Sequence, residues 1–248
     1  MKPKKPPPNL NKQTIRNADG AAKALENFSI ICKSQQVEVI FRDLEDELVK
    51  RIQRADVVLG CVAWLTSEKI LKALAKKDGV SIIVQKEDFL RPDSISSTAW
   101  KRKLQNLYQK IPAGMSRASE GLEKTVLTHM SYLIFGQYME PIRCVGNHNT
   151  AKDPAFPRMH NKFLIFCNNL ETSYGPYDSR NHNFSPYEVW TGSFNCSNNA
   201  TNSFENAVII KDEAITSAFL KEYAQIAALS EPLDWKTDWM APEWRIGS

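Results

Sequence analysis

His160 and Lys162 stand two residues apart at the head of the apolar run Phe163-Leu164-Ile165-Phe166, a placement suited to work on a phosphodiester. Side chains along a strand alternate with period two, so the pair is expected to project from one face. The same spacing joins Ser193 and Asn195 in Thr191-Gly192-Ser193-Phe194-Asn195, and Ser203-Phe204-Glu205-Asn206 follows, running into Ala207-Val208-Ile209-Ile210. Two adjacent strands would then aim an imidazole, an ammonium, a hydroxyl and an amide into one small volume. Lysine, serine and asparagine can neutralise and hydrogen-bond non-bridging phosphate oxygens, and Gly192 leaves room for close approach. Histidine can attack phosphorus or move a proton.

His160-x-Lys162 and Gly192-Ser193-x-Asn195 resemble the HKD motif of the phospholipase D superfamily, and the whole tract is most similar to its small bacterial endonuclease branch. In that branch a glutamate just after the GSxN element orients the catalytic histidine through its second ring nitrogen, a role the resemblance gives to Glu205. One position departs from the pattern. The family's aspartate, a supporting residue, falls five residues after the lysine, where this chain has Cys167 followed by Asn168 and Asn169. The resemblance implies an α/β fold, a mixed sheet flanked by helices on both faces. It also implies metal-independent attack by His160 to give a phosphohistidine, with a second histidine protonating the leaving oxygen and then activating water. This chain has a single such motif, because neither His129, His148 nor His182 has a lysine two residues on. Family members with one motif form homodimers whose two-fold axis brings both motifs into a shared site, and the same is expected here.

Composition sets the outer bounds. With 248 residues, 42% hydrophobic and 24% charged, the chain is long enough for one well-packed domain plus extensions. A net charge of +4 permits a polyanionic partner without demanding one. Five cysteines without a CxxC pair argue for reduced thiols and a cytoplasmic protein. The opening MKPKKPPPNLNK lacks the apolar core of a secretory signal, and no stretch approaches the roughly twenty apolar residues of a membrane span, so no membrane association is expected.

The elements that must position the chemistry can be read from pattern. Residues 1–26, basic and proline-rich, read as a flexible arm with a possible role in contacting a protein partner. The catalytic domain is expected over 27–232 and a tail bearing Trp235, Trp239 and Trp244 over 233–248, those tryptophans packing on the core or a second subunit. Val37 to Phe41 predicts a strand, Asp43 to Ala55 a helix with acids in its first turn, and Val57 to Trp64 a buried strand. Thr66 or Ser67 can cap the next helix, Gly79 is placed to stop it, and Val80 to Val84 completes a βαβαβ pattern. Residues 98–139 read as helical, with Trp100, Leu104, Leu107 and Ile111 on the apolar face. Strands follow at 142–145, 163–166, 189–191 and 207–210, and a closing helix at 214–229. Alternation of this kind argues for a mixed or parallel sheet covered by helices.

Substrate contacts are expected from Lys101, Arg102 and Lys103, as a phosphate-tracking surface, although a charge run on a helix is commonly just a solvated face. Tyr174, Tyr177, Arg180 and His182 in the long loop 168–188 are further contacts, since aromatic and guanidinium groups stack on unpaired bases. Cys144, His148, His160 and Cys167 match no familiar zinc spacing, and a ligand role for His160 would compete with attack, so neither metal nor cofactor is expected. The expected function is hydrolysis of DNA or RNA. The alternatives are a phospholipid-cleaving enzyme using the same residues and a nucleic-acid-binding module weakened in catalysis by the missing aspartate.

Overall fold

The structure, a computed structural model, describes residues 34–86, 99–112, 140–146, 158–171 and 182–233, with short pieces at 9, 12, 14–16, 22–24, 27, 29–31, 116–117 and 133–134. In chain order the elements are β1 (Thr14–Arg16), β2 (Ala22–Ala24), β3 (Ile30–Ile31), β4 (Val37–Ile40), α1 (Leu44–Arg54), β5 (Val57–Val62), α2 (Glu68–Leu74) and β6 (Gly79–Gln85). They continue with α3 (Ala99–Tyr108), β7 (Ser116–Arg117), β8 (Leu133–Ile134), β9 (Ile142–Val145), β10 (Lys162–Glu171), β11 (His182–Gly192), β12 (Ala207–Ile210), α4 (Glu213–Leu229) and β13 (Glu231–Pro232).

Nine strands form one mixed sheet in the order β13-β9-β6-β5-β10-β11-β12-β4-β3. β5, β6 and β9 are parallel neighbours, and every other pairing is antiparallel. Alternate residues along the central strands feed two apolar clusters. Val58, Val62, Leu164, Phe166 and Trp190 meet α1, α2 and α3 on one face, whereas Leu59, Cys61, Phe163, Ile165 and Cys167 meet Tyr223 and Ala227 of α4 on the other. The protein is therefore α/β, with helices covering both faces. Among the described residues no helix is long and apolar enough to cross a membrane.

Local signals placed the starts of α1, α2 and α4. α1 carries Glu45, Asp46 and Glu47 in its first turn and Arg51 and Arg54 in its last, complementing the helix dipole. Ser67 caps α2 by accepting from the Ile70 N–H, and Asp212 caps α4 by accepting from the Ile215 N–H. Arg51, buried at 5% exposure, ties α1 to the sheet through Glu38 on β4 and Glu188 on β11, 3.2 Å away. Burial raises the Glu188 carboxyl above its ordinary range, and Arg51 opposes that shift.

Four expectations change. Gly79 does not stop α2, which ends at Leu74; it opens β6. β4 does not neighbour β5, because β10, β11 and β12 stand between them, a pairing choice that periodicity does not encode. Within 98–139 the described helix is confined to Ala99–Tyr108, while β7 and β8 pair antiparallel. Of the supposed 168–188 loop, the described residues 168–171 and 182–188 are strand: β10 and β11 pair antiparallel from Phe163↔Thr191 to Glu171↔His182, with a bulge between Phe166 and Cys167, and 172–181 lie outside the described residues. Polar Asn168, Asn169, Ser185 and Asn183 mask that strand signal, since pairing satisfies their backbones whatever their side chains. Within the arm, β1 and β2 pair antiparallel. Trp235, Trp239 and Trp244 lie outside the described residues.

Candidate active site

Three segments far apart in sequence reach one edge of the sheet. β10 is antiparallel to both β5 and β11, so it begins where β5 and β11 end. β12 is antiparallel to β11 and begins at the same edge, with Ala207 opposite Gly192. His160 and Lys162 therefore enter β10, Ser193 and Asn195 leave β11, and Glu205 enters β12, all outside the carboxyl end of parallel β5 and β6. Crevices at that end of α/β sheets are the usual ligand position. The strand-alternation argument does not hold in detail: His160 precedes β10, and Ser193 and Asn195 follow β11, so loops rather than the pleat aim these groups.

Backbone contacts fix the histidine segment. The Met159 N–H donates to Gln85 Oε1 at 2.7 Å, and the Ala63 N–H donates to the Asn161 carbonyl at 3.0 Å. The Lys162 ammonium donates to the His160 carbonyl at 3.0 Å. His160 itself is exposed, with the Trp64 ring edge-on at 6.0 Å between centroids. Gln85 is fully buried, and its place exists because residue 146 is glycine: a Cβ on Gly146, at φ 104°, would lie 2.4 Å from Gln85 Oε1. Gln85→Ala strands the Met159 N–H and frees the histidine loop. It is expected to slow any His160-dependent reaction about 10- to 100-fold, since an ångström of misplacement costs that much, and to cost about 1–3 kcal/mol of stability. Single-turnover rates beside thermal melts measure both, and an unchanged rate in the destabilised variant would remove Gln85 from a positioning role.

A second clamp holds the β11–β12 end. The Ser193 N–H donates to the Asn206 carbonyl at 3.1 Å, and the Asn206 N–H donates to Ser193 Oγ at 3.0 Å. The serine hydroxyl keeps its own proton to donate outward. Gly192 serves this clamp, not a ligand as the sequence alone suggests, because a Cβ there would lie 2.3 Å from the Asn206 carbonyl oxygen. Gly192→Ala must therefore push the Ser193 and Glu205 segments apart. A loss of about 1–3 kcal/mol by denaturant titration is expected, with lower activity at full folding; a melt identical to the parent would contradict this account.

Asn195, Glu205, Ser203, Trp64, Thr66 and Trp100 line a cleft of about 470 Å³. Asn195 is 9% exposed, and its Oδ1 is buried with no hydrogen-bond partner among the described residues. Burial lowers the Lys162 ammonium below its ordinary range, and the Glu205 carboxylate opposes the shift, so the two charges sense each other across the site. An imidazole, an ammonium, a hydroxyl, an amide and a carboxylate thus lie at the same end of neighbouring strands.

The remaining predicted residues divide. Lys101 is buried at 7% exposure, which takes its side chain out of the solvent-facing run, because it lies on the inner side of α3. Arg102 and Lys103 line a neighbouring groove with Lys72, Lys110 and Glu68; Lys103 and Lys72 hold the Glu68 carboxyl down at about 2. Tyr174, Tyr177 and Arg180 lie outside the described residues, as does the side chain of His182, the first residue of β11. Cys167 is fully buried among apolar groups beneath α4, which raises its thiol well above the ordinary range. Cys144 belongs to the cluster on the other sheet face, apart from Cys167, and His148 lies outside the described residues. Gln85 and Trp64 escape the sequence reading. Their signal is a large polar or aromatic residue closing an apolar strand.

No protein-family model matches this sequence. Among solved structures, Nuc from Salmonella typhimurium, a phospholipase D family member, is 17% identical, with 79% of this chain and 95% of that chain covered at a TM-score of 0.43. NucT from Helicobacter pylori is 15% identical, with 83% and 97% covered at a TM-score of 0.43. The uncharacterized protein L381 of Acanthamoeba polyphaga mimivirus is 30% identical over 218 residues, which span 85% of this chain and 72% of that protein. The chain belongs to the same family as mimivirus L381.

Proposed function

We propose that this protein is a phosphodiesterase of the phospholipase D type that hydrolyses nucleic acid without a metal ion. The observation that carries the reading is the convergence of His160, Lys162, Ser193, Asn195 and Glu205 at one sheet edge from three separate segments. A nitrogen of His160 attacks phosphorus, a P–N bond forms and the P–O bond to the leaving oxygen breaks. That oxygen takes its proton from His160 of a second copy, which then removes a proton from water as the water attacks phosphorus and the P–N bond breaks. Both histidines return to their starting states. Lys162, the Ser193 hydroxyl and the Asn195 amide N–H groups hold the phosphoryl oxygens, and Glu205 orients the His160 ring.

A homodimer supplies the second histidine, and the exposure of His160 suits a site completed by another copy. The cationic groove of Lys72, Arg102, Lys103 and Lys110 favours a polyanionic substrate over a lipid surface. The test is cleavage of single- and double-stranded DNA and RNA in excess chelator, with dimer content measured by light scattering. Chelator-resistant cleavage supports the reading. Release of headgroup from phospholipid with no polynucleotide cleavage would replace it with lipid chemistry, and retention of polynucleotide without cleavage would replace it with a binding role.

A further inference from the structure

Trp100 shares its helix spacing with Leu104 and Leu107, which are buried, yet it keeps 45% of its surface exposed. Its ring lines the same cleft as Trp64, Asn195 and Glu205. Two indoles thus border the cleft that Asn195 and Glu205 line, and Trp64 already stands edge-on to His160. Ala99, next to Trp100, borders the groove that carries Lys72, Arg102, Lys103 and Lys110, so the same turn of α3 faces the cleft and a track for phosphates.

We propose that Trp64 and Trp100 flank a subsite for one unpaired nucleobase beside the scissile phosphate, which makes single-stranded polynucleotide the substrate. In a duplex each base face is covered by its stacked neighbours and its hydrogen-bonding edge by its partner. Only an unpaired base presents a free π-face to an indole. The cleft's volume of about 470 Å³ lies within the range of small-ligand pockets. The inference rests on the nuclease reading for its chemistry, while the binding it asserts can be measured alone.

The test is fluorescence anisotropy in chelator with a labelled short single strand, the same strand carrying abasic sites throughout, and the duplex, each against the parent protein, Trp100→Ala and Trp100→Phe. Loss of one stacked base converts to about 5- to 140-fold weaker binding. Trp100→Ala is expected to weaken the intact strand by that factor and the abasic strand several-fold less, with Trp100→Phe recovering most of the loss. Equal weakening of intact and abasic strands would overturn the subsite, as would duplex binding as tight as single-strand binding. Following the same strands for cleavage separates the two proposals. Base-dependent binding without cleavage keeps the subsite and removes the nuclease; cleavage with base-blind binding does the reverse.

Discussion

His160→Ala is expected to abolish phosphodiester cleavage, by about 10⁴-fold or more, because in the proposed reaction it removes both the atom that bonds to phosphorus and, across the proposed dimer, the acid that protonates the leaving oxygen. One substitution thus strikes two steps of one turnover, once in each copy. Folding should survive. The residue is exposed and its recorded ring contact is the edge-on approach to Trp64, worth about 0.5–1.5 kcal/mol. The measurement is the rate for the preferred strand beside a thermal melt. Cleavage within tenfold of the parent would sink the assignment, and so would an inactive variant found unfolded by circular dichroism, since the effect would then be structural. Mixing the alanine variant with parent chains gives a further check: a site shared between copies predicts heterodimers that are inactive, whereas independent sites predict half the parent rate.

Lys162→Met comes next in size, with an expected fall of about 10²- to 10³-fold, the usual loss when one group stabilising a developing negative charge is removed. In the proposed reaction Lys162 also sets a pH limit. Burial lowers its ammonium below the ordinary lysine range, and the Glu205 carboxylate resists that shift. The charged form is the useful one. Activity should therefore be retained below the lowered pKa and lost as pH rises through it, earlier than for a surface lysine. Glu205→Gln removes the opposing charge and should move this alkaline limb to lower pH. Lys162→Arg keeps a cation that does not deprotonate and should erase the limb even where its geometry costs rate. A limb that stays put in both variants would show that another group titrates.

The β10–β11 hairpin illustrates where the sequence is opaque. Its inner half, Phe163 to Phe166 against Val189 to Thr191, is apolar and legible as strand. Its outer half carries Asn168, Asn169, Asn183 and Ser185 and reads as loop, although the backbone ladder continues to Glu171↔His182. Lys101 and Trp100 show the same difficulty on α3. The charge run suggests a solvated lysine and the helical spacing a buried tryptophan, and the fold buries the lysine while leaving the tryptophan at the cleft. Propensity and periodicity describe a residue's own turn or pleat, whereas these outcomes depend on which neighbour lies opposite.

The sequence by itself determined the inventory: a histidine and a lysine before one apolar run, Ser193 and Asn195 after another, Glu205 before a third, a helix cap at Thr66 or Ser67, and an α/β alternation. Those are local facts, carried by residue types and by the periods of helix and strand. Only the tertiary structure decided that β10, β11 and β12 lie side by side between β5 and β4, and so that the three groups share an edge. It alone assigned Gln85 to Met159, Gly192 to the Asn206 carbonyl, and Trp64 and Trp100 to one cleft. Strand pairing joins residues distant in the chain, and its register follows from burying both sheet faces at once, a condition no single window of sequence contains.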